Sequence, residues 1–114
     1  MLFDRGAMVV VKNNEAVSGD GGGLALGHVG SSLTATGQGT QLTIENNTST
    51  QRGGGMFIST GACVLIEKSS VLTLQHNTAW QGGGGAFLSG AGSLLLSKDL
   101  SSHVLVLNLS LIHI

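Results

Sequence analysis

The sequence has no proline, no tyrosine and a single cysteine, Cys63. A lone cysteine excludes an intrachain disulfide and a cysteine-based metal site. Only 10% of the 114 residues are charged and the formal net charge is −1, so no nucleic-acid partner is expected. No apolar run approaches the length of about 18 residues that a membrane-spanning helix needs. Direct membrane insertion by this segment is therefore not expected.

Glycine is abundant instead, with 19 residues, whereas aromatic residues are limited to one tryptophan and three phenylalanines. The glycines occur in clusters and not at every third position, which excludes a collagen triple helix. Aliphatic residues are too frequent, and charges too few, for an intrinsically disordered chain. The composition favours short strands joined by tight turns.

An internal repeat organises the chain. Residues 42–59 and 72–89 align without a gap at an offset of 30 residues, and ten of the eighteen positions are identical. A more diverged copy precedes them at residues 9–26. Each copy has an apolar strand, an asparagine, a triple glycine and a second apolar segment, followed by a third apolar run. The pattern predicts three short strands per repeat of roughly 30 residues.

Strands of this length cannot enclose a core alone, but equivalent strands of successive repeats can stack as parallel ladders. The fold class predicted is all-β, a right-handed parallel β-helix (a solenoid) of about three coils. Stacking puts like residues above one another, so the repeat predicts inward apolar columns. These columns are Leu42/Leu72, Ile44/Leu74, Leu26/Ile58/Leu88 and Leu33/Leu65/Leu95.

The turns carry two polar or flexible signatures. Asn47 above Asn77, with Asn14 beneath them, predicts an amide ladder that satisfies turn carbonyls. The triple glycines predict sharp corners, because glycine adopts positive φ and allows the backbones to approach closely. These glycine turns are Gly21, Gly22, Gly23, Gly53, Gly54, Gly55, Gly83, Gly84 and Gly85.

A family resemblance rests on these segments. An apolar residue three positions before asparagine, as in 44–47 and 74–77, alternates with Gly84-Gly85-Ala86-Phe87. This resembles the repeats of polymorphic outer-membrane proteins, which are autotransporters with a β-helix passenger. The resemblance covers residues 9–98, although aliphatic residues replace the family's aromatic and two of the three glycine segments lack the alanine. It implies surface display, adhesion, and attachment to the outer membrane through a barrel elsewhere in the parent protein.

The predicted domain organisation has three parts. Residues 1–8 are interpreted as a truncated start, residues 9–100 as the β-helix repeats and residues 101–114 as a tail. Residues 109–114 resemble the translation of a transposon mosaic-end adapter used in sequencing libraries. We interpret them as adapter read-through and therefore not as part of the β-helix.

No residue pattern indicates chemistry. The six acidic residues do not fall in register with one another, as a calcium site or an acid/base pair would require. His28, His76 and His103 lack metal-ligand spacing. Asp20 lies in a glycine turn that faintly resembles calcium-binding repeats, but the equivalent positions in the other copies are not acidic. No catalytic residue, metal site or cofactor is predicted.

Some residues allow two interpretations. Trp80 is a candidate exposed contact, or it packs over the turn. Phe57 and Phe87 stack in register, either in the core or as an outward column. Asn46 and Asn47 begin overlapping glycosylation sequons, which matter only in a eukaryotic secretory host. Cys63 is predicted to be a small inward filler.

The function predicted is a structural and adhesive β-helix segment of a larger surface-exposed or secreted protein, not an enzyme. Its partners would be a host-surface protein or glycan and further coils of the parent chain, and its location the cell surface or extracellular space. The alternative is a fragment of a β-helix polysaccharide lyase or hydrolase whose catalytic coils lie elsewhere, and an inert spacer is a third reading. Because solenoid ends expose unpaired edges, the isolated chain is predicted to be marginally stable or to aggregate.

Overall fold

A computed structural model describes residues 1–97, 102–107 and 110–111 of the chain. These residues form fifteen β-strands that belong to four parallel sheets. Consecutive strands along the chain enter different sheets, and each sheet receives one strand from every coil. Among the described residues there is no helix that is long and apolar enough to cross a membrane.

The sheets are numbered in the order in which the chain enters them. Sheet 1 contains β1 (Leu2–Phe3), β5 (Ser32–Thr36), β9 (Cys63–Glu67) and β13 (Leu94–Ser97). Sheet 2 contains β2 (Met8–Lys12), β6 (Gln41–Glu45), β10 (Val71–Gln75) and β14 (His103–Leu107). Sheet 3 contains β3 (Glu15–Ala16), β7 (Thr48–Ser49), β11 (Thr78–Ala79) and β15 (Ser110–Leu111). Sheet 4 contains β4 (Leu24–Leu26), β8 (Met56–Ser59) and β12 (Ala86–Ser89).

The fold is a parallel β-solenoid of about three coils, which confirms the predicted fold class. All strand pairs are parallel and stack coil upon coil in register. The three longer strands predicted for each coil are present. The structure adds a fourth strand of two residues, in sheet 3, directly after each ladder asparagine.

Sheet 2 shows how alternation builds the core. Leu42 pairs with Leu72 and Ile44 with Leu74, and all four side chains are at most 1% exposed. Alternate residues of a strand point to opposite faces, so the intervening threonines and polar residues lie outside. Burying each Leu or Ile side chain contributes about 1.5–3 kcal/mol. The predicted inward columns of this sheet are therefore correct.

The predicted column in sheet 1 is wrong by one residue in the second coil. Leu33 and Leu95 both pair with Val64, which is fully buried, whereas Leu65 pairs with Thr34 and lies on the outer face. The cause is a turn: one residue fewer separates Ile58 from Val64 than separates Leu26 from Leu33 in the preceding coil. Since a slip of one residue reverses the face of every side chain, an ungapped reading of the repeat misplaces this strand.

The stack extends on both sides of the predicted range of residues 9–100. The strand β1 pairs with β5, and β14 pairs with β10. The interpretation of residues 109–114 as adapter sequence falls mostly outside the described residues, and it stays a prediction.

Candidate functional site

The asparagine corner connects sheet 2 to sheet 3, and we define it as residues 13–14, 46–47 and 76–77. The first residue of each pair has a positive φ, 59° at Asn13 and 54° at both Asn46 and His76. Asparagine and histidine tolerate this left-handed region better than most residues. All three side chains are exposed, so the corner turns its first residue outward and its second residue inward.

The inward residues form a continuous amide ladder. The Oδ1 atom of Asn47 accepts hydrogen bonds from the backbone N and the Nδ2 of Asn14, at 3.0 and 3.1 Å. The Oδ1 atom of Asn77 accepts the same pair from Asn47, at 3.0 and 3.2 Å. The Nδ2 atoms of Asn47 and Asn77 also donate to the carbonyl oxygens of Val11 and Ile44, at 3.0 and 2.9 Å.

Burial makes this ladder important for stability. Asn47 and Asn77 are 0% exposed, whereas Asn14 is exposed at the lower end of the stack. Among the described residues, no buried side-chain nitrogen or oxygen atom lacks a hydrogen-bond partner. Because an unpaired buried polar group costs about 1–3 kcal/mol, the ladder stabilises only as a complete unit.

The glycine corner connects sheet 3 to sheet 4, and we define it as residues 21–23, 53–55 and 83–85. The first glycine of each triplet has a positive φ, 73° at Gly21, 68° at Gly53 and 64° at Gly83. The middle position leaves no room for a side chain, since a Cβ added at Gly54 would lie 2.6 Å from the carbonyl oxygen of Gly84. The backbones hold this corner by themselves, with hydrogen bonds such as the 3.1 Å bond from Gly54 N to Gly83 O.

The two corners touch each other across the coil. A Cβ added at Gly23 would lie 2.8 Å from the Nδ2 of Asn47, and one added at Gly55 would lie 2.9 Å from the Nδ2 of Asn77. The third glycine of the first two triplets therefore provides the space that a ladder asparagine of the next coil occupies. Sequence reasoning missed this contact, because its partners are in successive coils and only the equal spacing of the two motifs hints at it.

A charged and aromatic cluster lies beside the glycine corner, on the outer surface. The Nε and Nη2 atoms of Arg52 donate to the two carboxylate oxygens of Asp20 at 3.0 and 2.8 Å, and the backbone N of Arg52 donates at 2.9 Å. The rings of Phe57 and Phe87 are stacked with centroids 5.9 Å apart. The guanidinium carbon of Arg52 lies 4.9 and 5.2 Å from these two centroids. The cluster thus links three successive coils.

The ion pair in this cluster shifts the pKa of both of its side chains. The hydrogen bond from the Arg52 side chain holds the pKa of Asp20 below its usual value, in spite of partial desolvation. The same bond raises the pKa of Arg52. A carboxylate that accepts three hydrogen bonds from one arginine is engaged in structure, so the faint resemblance of this turn to calcium-binding repeats has no support in the geometry.

The structure decides which face of the sheet the two phenylalanines occupy. Phe57 and Phe87 lie on the outer face of sheet 4, because Met56 and Ile58 beside them point inward and are fully buried. Trp80 follows β11 and is 42% exposed. The three side chains are therefore available at the surface to different degrees.

The expectation for Cys63 is wrong. Cys63 pairs with Ser32 and Leu94 on the outer face of sheet 1 and is partly exposed, while the neighbouring Ala62 and Val64 are fully buried. The short turn that shifts Leu65 outward also shifts Cys63, since the two residues lie two positions apart on the same face.

The remaining polar candidates lie apart from one another. Glu45 accepts a 2.6 Å hydrogen bond from the Nε2 of Gln75 on the outer face of sheet 2. His28, His76 and His103 are exposed. Within the described part of the chain, no group of three or more His, Cys, Asp and Glu side chains is arranged to hold a metal ion.

The architecture and the two corners define the chain as a parallel β-solenoid with an internal asparagine ladder. No protein-family model matches the sequence, and no curated protein or solved structure matches it either. The resemblance to polymorphic outer-membrane proteins thus rests on the repeat motifs alone.

Proposed function

We propose that this chain is a structural and adhesive segment of a larger surface-exposed or secreted β-solenoid protein, and that it performs no catalysis itself. The observation that carries the proposal is the outward display of aromatic residues on the stacked sheets. Trp80 is 42% exposed, and Phe57 and Phe87 are partly exposed on the outer face of sheet 4. Exposed aromatic side chains are the usual anchors of recognition surfaces.

The cluster around Arg52 supports contact with an uncharged or weakly charged partner. Its guanidinium group is neutralised by Asp20, so the aromatic edges beside it are not surrounded by net charge. The nearby hydroxyl pair Ser59 and Ser89 is in register on the same strands as the two phenylalanines. Such a combination of aromatic and hydroxyl groups suits a glycan or a polar protein surface.

The upper edge of the stack supports the proposed position within a longer solenoid. No strand among the described residues pairs with the outer edge of β12 or of β13. Leu88 is 42% exposed there, whereas Ile58, the residue below it in the same column, is fully buried. Further coils of the parent protein are the partner whose strands would continue these columns in register.

The test is binding of the labelled 114-residue chain to a printed array of glycans and purified extracellular-matrix proteins, after circular dichroism has shown that it is folded. Trp80→Thr is the decisive variant, because the equivalent position in the second coil is Thr50. We expect at least a tenfold loss of apparent affinity, about 1.4 kcal/mol.

Val29→Thr is the matched control, since Val29 is 81% exposed and lies in a different turn. It should leave binding unchanged. Equal binding by the Trp80→Thr variant and the wild type, or no binding of the wild type to any printed ligand, would overturn the adhesive proposal.

A further inference from the structure

Two overlapping acceptor sequences for N-linked glycans lie at the asparagine corner of the second coil. Asn46-Asn47-Thr48 and Asn47-Thr48-Ser49 both have the Asn-x-Ser/Thr form. The equivalent segments of the neighbouring coils do not, because Glu15 and Ala16 replace the hydroxyl residues in one and Ala79 does so in the other. The sequence alone does not distinguish Asn46 from Asn47.

The structure separates the two asparagines. Asn47 is 0% exposed, and its Nδ2 atom donates both of its hydrogens, to Val11 O and to Asn77 Oδ1. A sugar on this nitrogen would replace one of these hydrogens. It would also have to occupy the space at Gly23, where even a Cβ would lie 2.8 Å from that nitrogen. The folded coil cannot accommodate a glycan at Asn47.

Asn46 has the opposite environment. Its side chain is exposed, and its φ of 54° turns it outward at the corner. The corner uses its backbone N, which donates to Gln75 O at 3.2 Å. The equivalent residues above and below, His76 and Asn13, are also exposed, and neither of them begins an Asn-x-Ser/Thr acceptor sequence. A glycan at Asn46 can therefore project into solvent without meeting a second glycan.

We propose that Asn46 is an N-glycosylation site of this protein and that Asn47 is not, when the chain passes through a eukaryotic secretory pathway. The inference rests on the export that the proposed function requires. An oligosaccharyltransferase would join the Nδ2 of Asn46 to C1 of a lipid-pyrophosphate-linked oligosaccharide. The C1–oxygen bond to the pyrophosphate breaks, the lipid pyrophosphate leaves with the electron pair, and the amide loses one proton.

The ability of the modified chain to fold determines which of the two asparagines carries the glycan in the secreted protein. Transfer takes place on the extended chain, where both asparagines are accessible to the enzyme. A chain modified at Asn47 cannot complete the amide ladder, so it fails to fold and is not secreted. A chain modified at Asn46 keeps every ladder hydrogen bond, and the secreted protein therefore carries its glycan there.

The experiment expresses the full chain behind a secretory leader in yeast and maps the glycan on the secreted protein by mass spectrometry of glycosidase-treated peptides. Thr48→Val removes only the acceptor sequence of Asn46, and Ser49→Ala removes only that of Asn47. We expect a glycan at Asn46 in the wild type and in Ser49→Ala, and none at Asn46 or Asn47 in Thr48→Val. A glycan at Asn47, or a secreted wild-type chain without a glycan at Asn46, would overturn the proposal.

Ala79→Ser provides a converse test, because it creates an acceptor sequence at Asn77 in the third coil. Asn77 is 0% exposed and part of the ladder, so the secreted variant should remain unmodified there. A glycan at Asn77 in folded, secreted protein would contradict the rule that the ladder excludes modification.

A second measurement does not depend on secretion. In chains made in bacteria, Asn46→His, which introduces the residue that the third coil has at the equivalent left-handed position, should leave the thermal unfolding midpoint unchanged, whereas Asn47→Gln should lower it by several degrees. Equal midpoints would remove the structural basis of the inference. Failure of the adhesion test would leave this glycan map unchanged, and the Trp80→Thr variant should still be modified at Asn46, so the two proposals fail separately.

Discussion

The asparagine corner and the glycine corner solve the same problem by opposite means. Both turn the chain sharply in every coil, and both repeat in register along the stack. At the asparagine corner, buried side chains such as Asn47 supply the hydrogen bonds that hold the turn. At the glycine corner, the backbones approach so closely that a side chain at Gly54 would collide with a carbonyl oxygen of the next coil.

The contrast shows that the asparagine corner depends on the glycine corner. The Nδ2 atom of Asn77 lies against the position where Gly55 would carry a Cβ. A turn built from polar side chains can be buried here only because the opposite turn has no side chains. A substitution in the glycine corner should therefore disrupt the asparagine ladder, whereas a substitution in the ladder leaves the backbone hydrogen bonds of the glycine corner in place.

The largest effect is expected from Gly55→Ala. The new Cβ would lie 2.5 Å from Gly85 O and 2.9 Å from the Nδ2 of Asn77, so it would disturb both corners. We expect a loss of about 4 kcal/mol in the free energy of unfolding, measured by urea titration. In Gly27→Ala, the control, the Cβ meets only the Oγ of Ser59 at 3.8 Å and the change should stay within about 0.5 kcal/mol. Similar losses in both variants would refute the steric argument.

Asn47→Ala should have the next largest effect, about 3 kcal/mol, because it removes the buried donor to Val11 O, one of the two donors to Asn77 Oδ1, and the Oδ1 atom that accepts from the backbone N of Asn14. Asn14→Ala should cost only about 1 kcal/mol, since Asn14 is exposed to water at the lower end of the ladder. Chemical denaturation of both variants gives the comparison. An equal loss in the free energy of unfolding at the two positions would mean that burial does not determine how much a ladder amide stabilises the fold.

A smaller, pH-dependent effect is expected at the side-chain contact beside the glycine corner, the Asp20–Arg52 pair. The pKa of Asp20 is lowered in the folded state, so the pair's contribution is fully present above the ordinary aspartate pKa of about 3.9. It is lost as the pH falls through the lower, folded-state pKa. The stability difference between the wild type and Asp20→Asn should be constant near neutral pH and should shrink in acid. A stability difference that grows as the pH falls would contradict this prediction.

The smallest effect is expected from the stacked phenylalanines next to that pair. Phe57→Leu, Phe87→Leu and the double variant form a double-mutant cycle. We expect a coupling free energy of about 1 kcal/mol from the ring contact at 5.9 Å. A coupling free energy of zero would show that the contact between the two rings does not stabilise the glycine corner, and that the pair is only displayed at the surface.

Much of the fold could be predicted, because stacking in register places like residues above like. The columns Leu42/Leu72 and Ile44/Leu74 follow directly from an ungapped repeat. In sheet 1 the same reasoning put Leu65 in the place of Val64. A turn shortened by one residue shifts the strand after it, and a hydrophobic run such as 64–66 has no polar alternation that would reveal the shift.

The sequence by itself determined the solenoid, its repeat length and the identity of both corners, since asparagine and glycine are needed there for local reasons of hydrogen bonding and backbone conformation. Only the tertiary structure decided which face Cys63, Leu65 and the two phenylalanines occupy. It alone brought Asp20 to Arg52 and Gly55 to Asn77. These pairs are set by turn lengths and by contacts between successive coils, which arise only when the chain has closed around its core.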